Sequence, residues 1–210
     1  MDNVAAVLFA QKARPHPAWC SGFAARYGLC HLNAMSQQRD FAQFLATAEP
    51  AHLGPMGRSG TQPQDVLEEQ LASLLQRSKL PEQNQQLIQA LVLLWHDHLD
   101  TAHRIAQDVD NSDGAFVHGI MHRREPDFGN AAYWFRRVGR HPAFPELASR
   151  VAASFPSAPA ITSLVRNGAW DPFGFITACE EASTKPHSDQ RPLRTVQQLE
   201  FEVLLAYLQR

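Results

Sequence analysis

The sequence predicts an all-α fold, an irregular bundle of about seven to nine helices around one long central helix. From residue 64 onwards, apolar residues recur at the three- to four-residue spacing that gives a helix one buried face. Asparagine, aspartate, proline and glycine recur between these segments, where helices begin and end. Runs of alternating β-branched residues, which are typical of strands, are absent from the sequence.

Composition and charge narrow the classes of function. The 210-residue chain is 44% hydrophobic and 19% charged, as in globular proteins, and its net charge is −2. Proteins that bind nucleic acids or anionic membranes usually carry a positive excess, so we expect neither partner. No apolar run reaches the roughly 18 residues of a membrane span. Three widely spaced cysteines form neither a disulfide framework nor a zinc pattern, which indicates reduced thiols and a cytoplasmic protein.

We interpret residues 1–63 as a loosely packed extension and linker, and residues 64–210 as the helical domain. Residues 3–39 carry basic but no acidic side chains, as a transit peptide does, although serine is scarce and two prolines interrupt any long helix. Met35 is an alternative start, since an amphipathic segment follows it, and part of this region could instead belong to the domain. Glycine and proline are concentrated in residues 50–63, as in linkers.

The first helices of the domain follow from their apolar stripes and their boundaries. Asp65 and Glu68 have the spacing of a capping box at the start of the first helix. Pro81 suits the first turn of the central helix, which we expect to cover residues 81–107. Residues 108–114 do not fit the spacing of a calcium loop and are interpreted as a helix-terminating turn.

The remaining predicted helices are shorter. One covers residues 115–124 and stops before Pro126, because proline disfavours helical backbone in the residue before it. Asn130 is the predicted cap of the next helix, which Gly139 ends. Three further helices are expected to begin near Pro145, Asp171 and Thr195.

Two histidine–carboxylate triplets share one spacing on consecutive helices. At positions i, i+4 and i+7 they are His96, Asp100, His103 and His118, His122, Glu125. This spacing places each triplet along one helix face. Two imidazoles one turn apart can bind a divalent ion, and a carboxylate one turn further can complete three ligands, so His118, His122 and Glu125 are the predicted metal ligands. Antiparallel neighbouring helices would let both triplets face each other across the bundle.

Two simpler interpretations of these histidines remain open. Both triplets lie on the polar sides of their own helices, and a polar helix face is usually only solvated. Alternatively, the same residues form a metal-free pocket in which a histidine beside a carboxylate carries protons near neutral pH. The predicted cofactor is therefore a divalent metal of undefined type, or none.

Five arginines lie between residues 115 and 145, interleaved with the aromatic run of residues 133–135. Arginine pairs with carboxylates and phosphates and stacks on aromatic rings, which predicts a site for an anionic small molecule. The predicted ligand-binding residues are Arg123, Arg124, Tyr133, Trp134, Arg137 and Arg140. Internal ion pairs with Glu125 and Asp127 are the alternative, and they would leave an excess of arginine.

Two resemblances arise in this region. The run HGIMHRREPDFGNAAYWFRRVGRHP, with WDPFGFITACEEA after it, resembles the signature blocks of an all-helical family of bacterial and fungal proteins without an established activity. That resemblance covers about residues 64–210 and implies a helical fold but no reaction. Within it, NAAYWFRRV is similar to the first helix of a Sel1-type repeat, although such solenoids need about three repeats.

Two functions therefore compete. The first is a small-molecule site, metal-dependent in one version, whose chemistry is carried by His96, Asp100, His103, His118, His122 and Glu125. The alternative is a non-catalytic, Sel1-like helical interaction module, which agrees with the lack of a P-loop, dinucleotide or nucleophile-elbow motif. Cys179 lies on the apolar side of its helix and is expected to be inert.

Overall fold

The computed structural model describes residues 40–210, and this part of the chain is all-α, as predicted. Its nine α-helices are α1 (Gln64–Ser78), α2 (Glu82–Trp95), α3 (Leu99–Ala106), α4 (Ser112–Arg124), α5 (Phe128–Val138), α6 (Phe144–Ser154), α7 (Pro159–Thr162), α8 (Pro172–Ala182) and α9 (Arg191–Leu208). A 3-10 turn, Gln43–Leu45, precedes them, and β1 (Val165–Arg166) pairs with β2 (Ala169–Trp170) in a small antiparallel hairpin. The predictions made for residues 1–39, including the alternative start, lie outside the described residues.

Helix α2 is the centre of the bundle. It packs against α1, α3, α4 and α9, and its second half is buried almost throughout. Because neighbours surround it, this half is apolar on nearly all sides, whereas the outer helices have only one apolar face.

The prediction of one long central helix over residues 81–107 is wrong, because the chain breaks at residues 96–98. His96 ends α2, and Asp97 takes a left-handed backbone conformation with φ of 71°. The Asp97 carboxylate accepts hydrogen bonds from Arg58 at 2.8 Å and from Arg124 at 2.6 Å, which holds the break in place. The apolar period resumes in α3 without a glycine or proline at the break, so the sequence pattern does not reveal it.

Residues 40–63 belong to the domain, which corrects the predicted boundary at residue 64. Five of their apolar side chains are buried: Phe41, Phe44, Leu45, Ala51 and Leu53. The Gln197 side chain on α9 donates to the carbonyls of Ala51 and His52, at 3.1 Å each. The proline and glycine of this segment therefore fit an irregular path across the core, rather than a loose linker.

Three helix starts differ in their agreement with the sequence. Asp171 caps α8 by accepting from the Gly174 N–H at 2.9 Å, as predicted. Helix α5 is capped by Asp127 instead of Asn130, and the Asn130 N–H donates to the Asp127 carboxylate at 3.1 Å. The predicted capping box is wrong, since α1 begins after Pro63 without a side-chain cap.

Helices α4 and α5 form a tightly packed hairpin, with α3 beside α4. A Cβ atom on Gly119 of α4 would lie 2.6 Å from the Phe135 ring of α5, so glycine allows this close approach. These three helices carry most of the histidines and aromatic residues singled out above.

Candidate metal centre

Three histidines from α3 and α4 converge. One ring nitrogen from each of His103, His118 and His122 lies within 4.8 Å of the other two. The ring centroid of His103 lies 5.1 Å from that of His118 and 5.2 Å from that of His122. His118 and His122 are buried and His103 is half-buried, so the cluster sits just beneath the surface. One member of the first predicted triplet therefore meets two members of the second.

Glu125 is a neighbour of His122 rather than a member of this cluster. Its Oε2 lies 3.2 Å from His122 Nδ1. The Asn130 amide nitrogen lies 3.2 Å from His122 Nε2 and 3.4 Å from Nδ1, so it does not distinguish the two ring nitrogens. The Glu125 contact favours the tautomer with hydrogen on Nδ1, which leaves the Nε2 lone pair for a metal.

The cluster disfavours protonated imidazole. The pKa of His118 is lowered to about 4, mainly by burial and then by the neighbouring His103, His122 and Arg137. Burial also lowers the pKa of His122, against the opposing effect of Glu125. His118 is therefore neutral near pH 7, as a metal ligand must be.

An aromatic wall borders the cluster. The Trp134 ring of α5 stacks on His118 with centroids 4.1 Å apart and planes 5° apart. Arg137 lies over the Trp134 ring, with its guanidinium carbon 5.2 Å from the ring centroid, and pairs with Asp110 at 2.6 Å. Trp134 thus fixes the orientation of the His118 ring and shields it from solvent.

Two residues of the first predicted triplet have other positions. His96 bonds the Phe44 carbonyl through Nε2 at 2.8 Å and accepts from the Gln62 N–H through Nδ1 at 3.1 Å. Its assignment to the site is wrong, because both of its ring nitrogens are bonded to backbone groups at the end of α2. Asp100 is exposed, and it shares with Glu125 a polar cleft of about 420 Å³ that also includes Asp97 and His98.

Arg123 and Arg124 are wrong as ligand-binding residues, because both are fully buried in internal ion pairs. Arg123 pairs with Glu200 of α9 and stacks on Phe175. Arg124 pairs with Asp97 and donates to the Leu94 carbonyl. Internal ion pairing was the alternative interpretation of these arginines, but their partners are distant in sequence and are not Glu125 and Asp127.

The remaining predicted ligand residues are dispersed. Tyr133 is exposed beside Trp134. Arg140 lines a different, largely apolar cavity of about 650 Å³ with His141, Trp170 and Phe173. Arg137 is engaged with Asp110, as described above. One common anion site built from all six residues is therefore not formed.

Two side-chain features lay outside the sequence predictions. His141 Nε2 donates to Asp113 at 2.8 Å while its Nδ1 accepts from the Ala143 N–H at 3.1 Å. His52 contacts His187 across 135 residues, with their Nδ1 atoms 3.1 Å apart. Neither pair has a sequence spacing that signals it. Cys179 is buried as expected, and burial raises the pKa of its thiol to about 12, which leaves it unreactive.

Comparison with known proteins adds no identification. No family model, curated protein or solved structure matches the chain. The resemblances to the bacterial and fungal family and to Sel1-type repeats therefore stay predictions. Within residues 40–210, the helices are too short or too polar to cross a bilayer.

Proposed function

We propose that the protein binds a divalent transition-metal ion through His103, His118 and His122 and uses it in small-molecule chemistry. The observation that carries this proposal is the convergence of three imidazole nitrogens within 4.8 Å of one another from two helices. Ligand atoms about 2.0–2.1 Å from a tetrahedral ion lie about 3.3 Å apart. Side-chain rotations that move each ring nitrogen by about 1 Å would bring the three nitrogens to this spacing.

The chemistry of the donors favours zinc. Imidazole suits Zn²⁺, Cu²⁺, Ni²⁺ and Fe²⁺ better than it suits Mg²⁺ or Ca²⁺, which prefer oxygen ligands. Three protein nitrogens leave one position of a tetrahedral zinc ion for water or substrate, as in catalytic zinc sites. Glu125 supplies the carboxylate that holds a ligating histidine in its metal-binding tautomer.

An open coordination position implies Lewis-acid chemistry. A zinc ion bound by three histidines lowers the pKa of its water to about 7 and polarises a substrate oxygen. His103 is the most exposed of the three ligands, so substrate access is expected from its side. The reaction class we propose is metal-assisted hydrolysis of a small polar molecule in the cytoplasm.

Metal binding is tested by titrating metal-free, tag-free protein with Zn²⁺ in a calorimeter. We expect about one ion per chain for the native sequence. His103→Gln and His118→Gln should each weaken binding by tenfold or more, roughly the effect of losing one of three ligands. His103→Gln is the more informative variant, because its half-buried position tolerates replacement.

His187→Gln is the matched control, since His187 is exposed and does not belong to the cluster. It should bind Zn²⁺ as the native protein does. Zinc binding that is absent, or equally weakened by all three substitutions, would remove the proposal.

The interaction-module alternative has less support. Within residues 40–210 the exposed large apolar side chains are Met56, Val66, Tyr133 and Phe173, and they belong to four different segments. A docking surface for a protein normally joins such residues in one patch.

A further inference from the structure

A second cleft, formed by residues distant in sequence from the histidine cluster, has four basic side chains among its nine lining residues. It encloses about 550 Å³ between the segment around Glu49 and the start of α9. Its basic side chains are His52, His187, Arg191 and Arg194. Within the described residues, Glu49 is the only carboxylate that lines it.

The positive charge of this cleft is incompletely neutralised. Glu49 is paired with Arg194 at 3.1 Å, which leaves Arg191 as a formal charge in excess of the one carboxylate. In the described part of the chain, Arg191 forms no ion pair and is exposed. Burial lowers the pKa of His52, and Arg194 and His187 lower it further, which shows that these groups repel added positive charge there.

The basic groups are held in position by the fold. Arg194 is 7% exposed and donates to the Pro50 carbonyl as well as to Glu49. Its buried Nε has no partner within residues 40–210. The His52 and His187 rings meet edge to face, with centroids 4.7 Å apart. Arg191 is the first residue of the 18-residue α9, so the positive end of the helix dipole adds to the field in the cleft.

We propose that this cleft binds a phosphate monoester. Several donors around one cavity suit a doubly charged group with three terminal oxygens better than a monocarboxylate, which one arginine satisfies. Ser188 and Thr195 also line the cleft, but their hydroxyls already donate to Asp189 and to the Arg191 carbonyl, so the guanidinium N–H groups supply the phosphate contacts. The volume is several times that of a phosphate group and falls in the range of small-molecule sites, which leaves room for an organic part.

Three probes distinguish a phosphate monoester from free phosphate and from a monocarboxylate: phenyl phosphate, inorganic phosphate and benzoate. They are titrated into chelator-treated full-length protein, because phosphates also bind metal ions. We expect phenyl phosphate to bind more tightly than inorganic phosphate, and benzoate to bind at least tenfold more weakly than phenyl phosphate. Equal binding of benzoate and phenyl phosphate, or no binding of either phosphate, would overturn the proposal.

Two substitutions locate the site, Arg191→Gln and His187→Gln. Both residues are exposed, so the fold should persist, and each change should weaken phenyl phosphate binding about five- to tenfold. Arg136→Gln is the control, since it removes an exposed guanidinium from α5 and leaves the cleft intact. The same weakening in the control would mean that only net charge matters and would refute the site.

His103→Gln keeps this inference separate from the metal proposal. The variant should bind phenyl phosphate like the native protein, because His103 does not line the cleft. Loss of phenyl phosphate binding in this variant would place the anion at the histidine cluster and contradict the proposal. A failure of zinc binding leaves the phosphate prediction intact.

Discussion

Histidines of this chain differ in role because their ring nitrogens meet different partners. His118 and His122 each have a ring nitrogen within 4.8 Å of nitrogens of the other two rings of the cluster, whereas both nitrogens of His96 are bonded to backbone groups. A ring that donates to one backbone group and accepts from another is satisfied only in its neutral form. Whether a histidine can bind a metal or instead connects backbone segments therefore depends more on the groups around its ring than on its position in a spacing pattern.

The neutral state of His96 predicts a pH dependence of stability. Burial lowers the pKa of His96 below its ordinary value of 6.5. The unfolded chain then binds a proton more readily than the folded chain, so stability is full above about pH 6.5 and is lost as the pH falls below it. His96→Gln cannot titrate, and its free energy of unfolding should fall less between pH 7.5 and 5 in denaturant titrations. An identical loss in both proteins would contradict this role.

At the residue scale, the sequence predicted which side chains share a helix face better than which partners they meet. The shared spacing of His118 and His122 placed both rings on one face of α4, where they are found. The positions of Arg123 and Arg124 could not be foreseen, because their partners Glu200 and Asp97 are brought near by the fold. A count of charges along the sequence pairs an arginine only with acidic residues close to it in the chain.

The break between α2 and α3 is the element that brings His103 to the cluster. In one continuous helix, His96 and His103 would lie on the same face. The break separates them, and His103 then lies beside α4. Sequence periodicity predicted both helical segments but not the turn, which depends on a carboxylate placed between two arginines.

Asp97→Asn tests what holds this break. Asparagine tolerates the left-handed backbone at this position but removes the charge opposite Arg58 and the fully buried Arg124. A buried cation without its partner typically costs about 3–5 kcal/mol of stability. Asp100→Asn, at the exposed start of α3, should change the free energy of unfolding by less than about 0.5 kcal/mol. Similar small effects of both substitutions in denaturant unfolding would contradict the account.

Residues 40–210 contain two hydrophobic clusters that share α9. One surrounds α2, and the other surrounds Phe175 with parts of α6, α8 and α9. Arg123 of α4 stacks on Phe175, its guanidinium carbon 4.3 Å from the ring centroid, and pairs with Glu200 of α9. This buried pair therefore links the two clusters.

The pair predicts an asymmetry between single and double substitutions. Glu200→Gln leaves the buried Arg123 charge without a counter-ion and should cost about 3–5 kcal/mol of stability. The double variant Arg123→Met/Glu200→Leu removes both charges and should recover most of this loss in the same denaturant unfolding measurement. A double variant no more stable than Glu200→Gln would contradict this expectation.

At the scale of the whole chain, helical periodicity was sufficient for the fold class but not for the domain boundary. Residues 50–63 have the composition of a linker, yet Ala51 and Leu53 are buried and Arg58 pairs with Asp97. Proline and glycine indicate irregular backbone, and they do not reveal whether that backbone is packed.

X-ray absorption spectroscopy of the zinc-loaded protein tests the central claim most directly. The account predicts an imidazole signature from three histidines, with nitrogen at about 2.0–2.1 Å, and one further light atom in the first coordination shell. The imidazole contribution should decrease in His103→Gln. A shell that contains sulfur, or oxygen atoms without imidazole, would contradict a metal centre built from His103, His118 and His122.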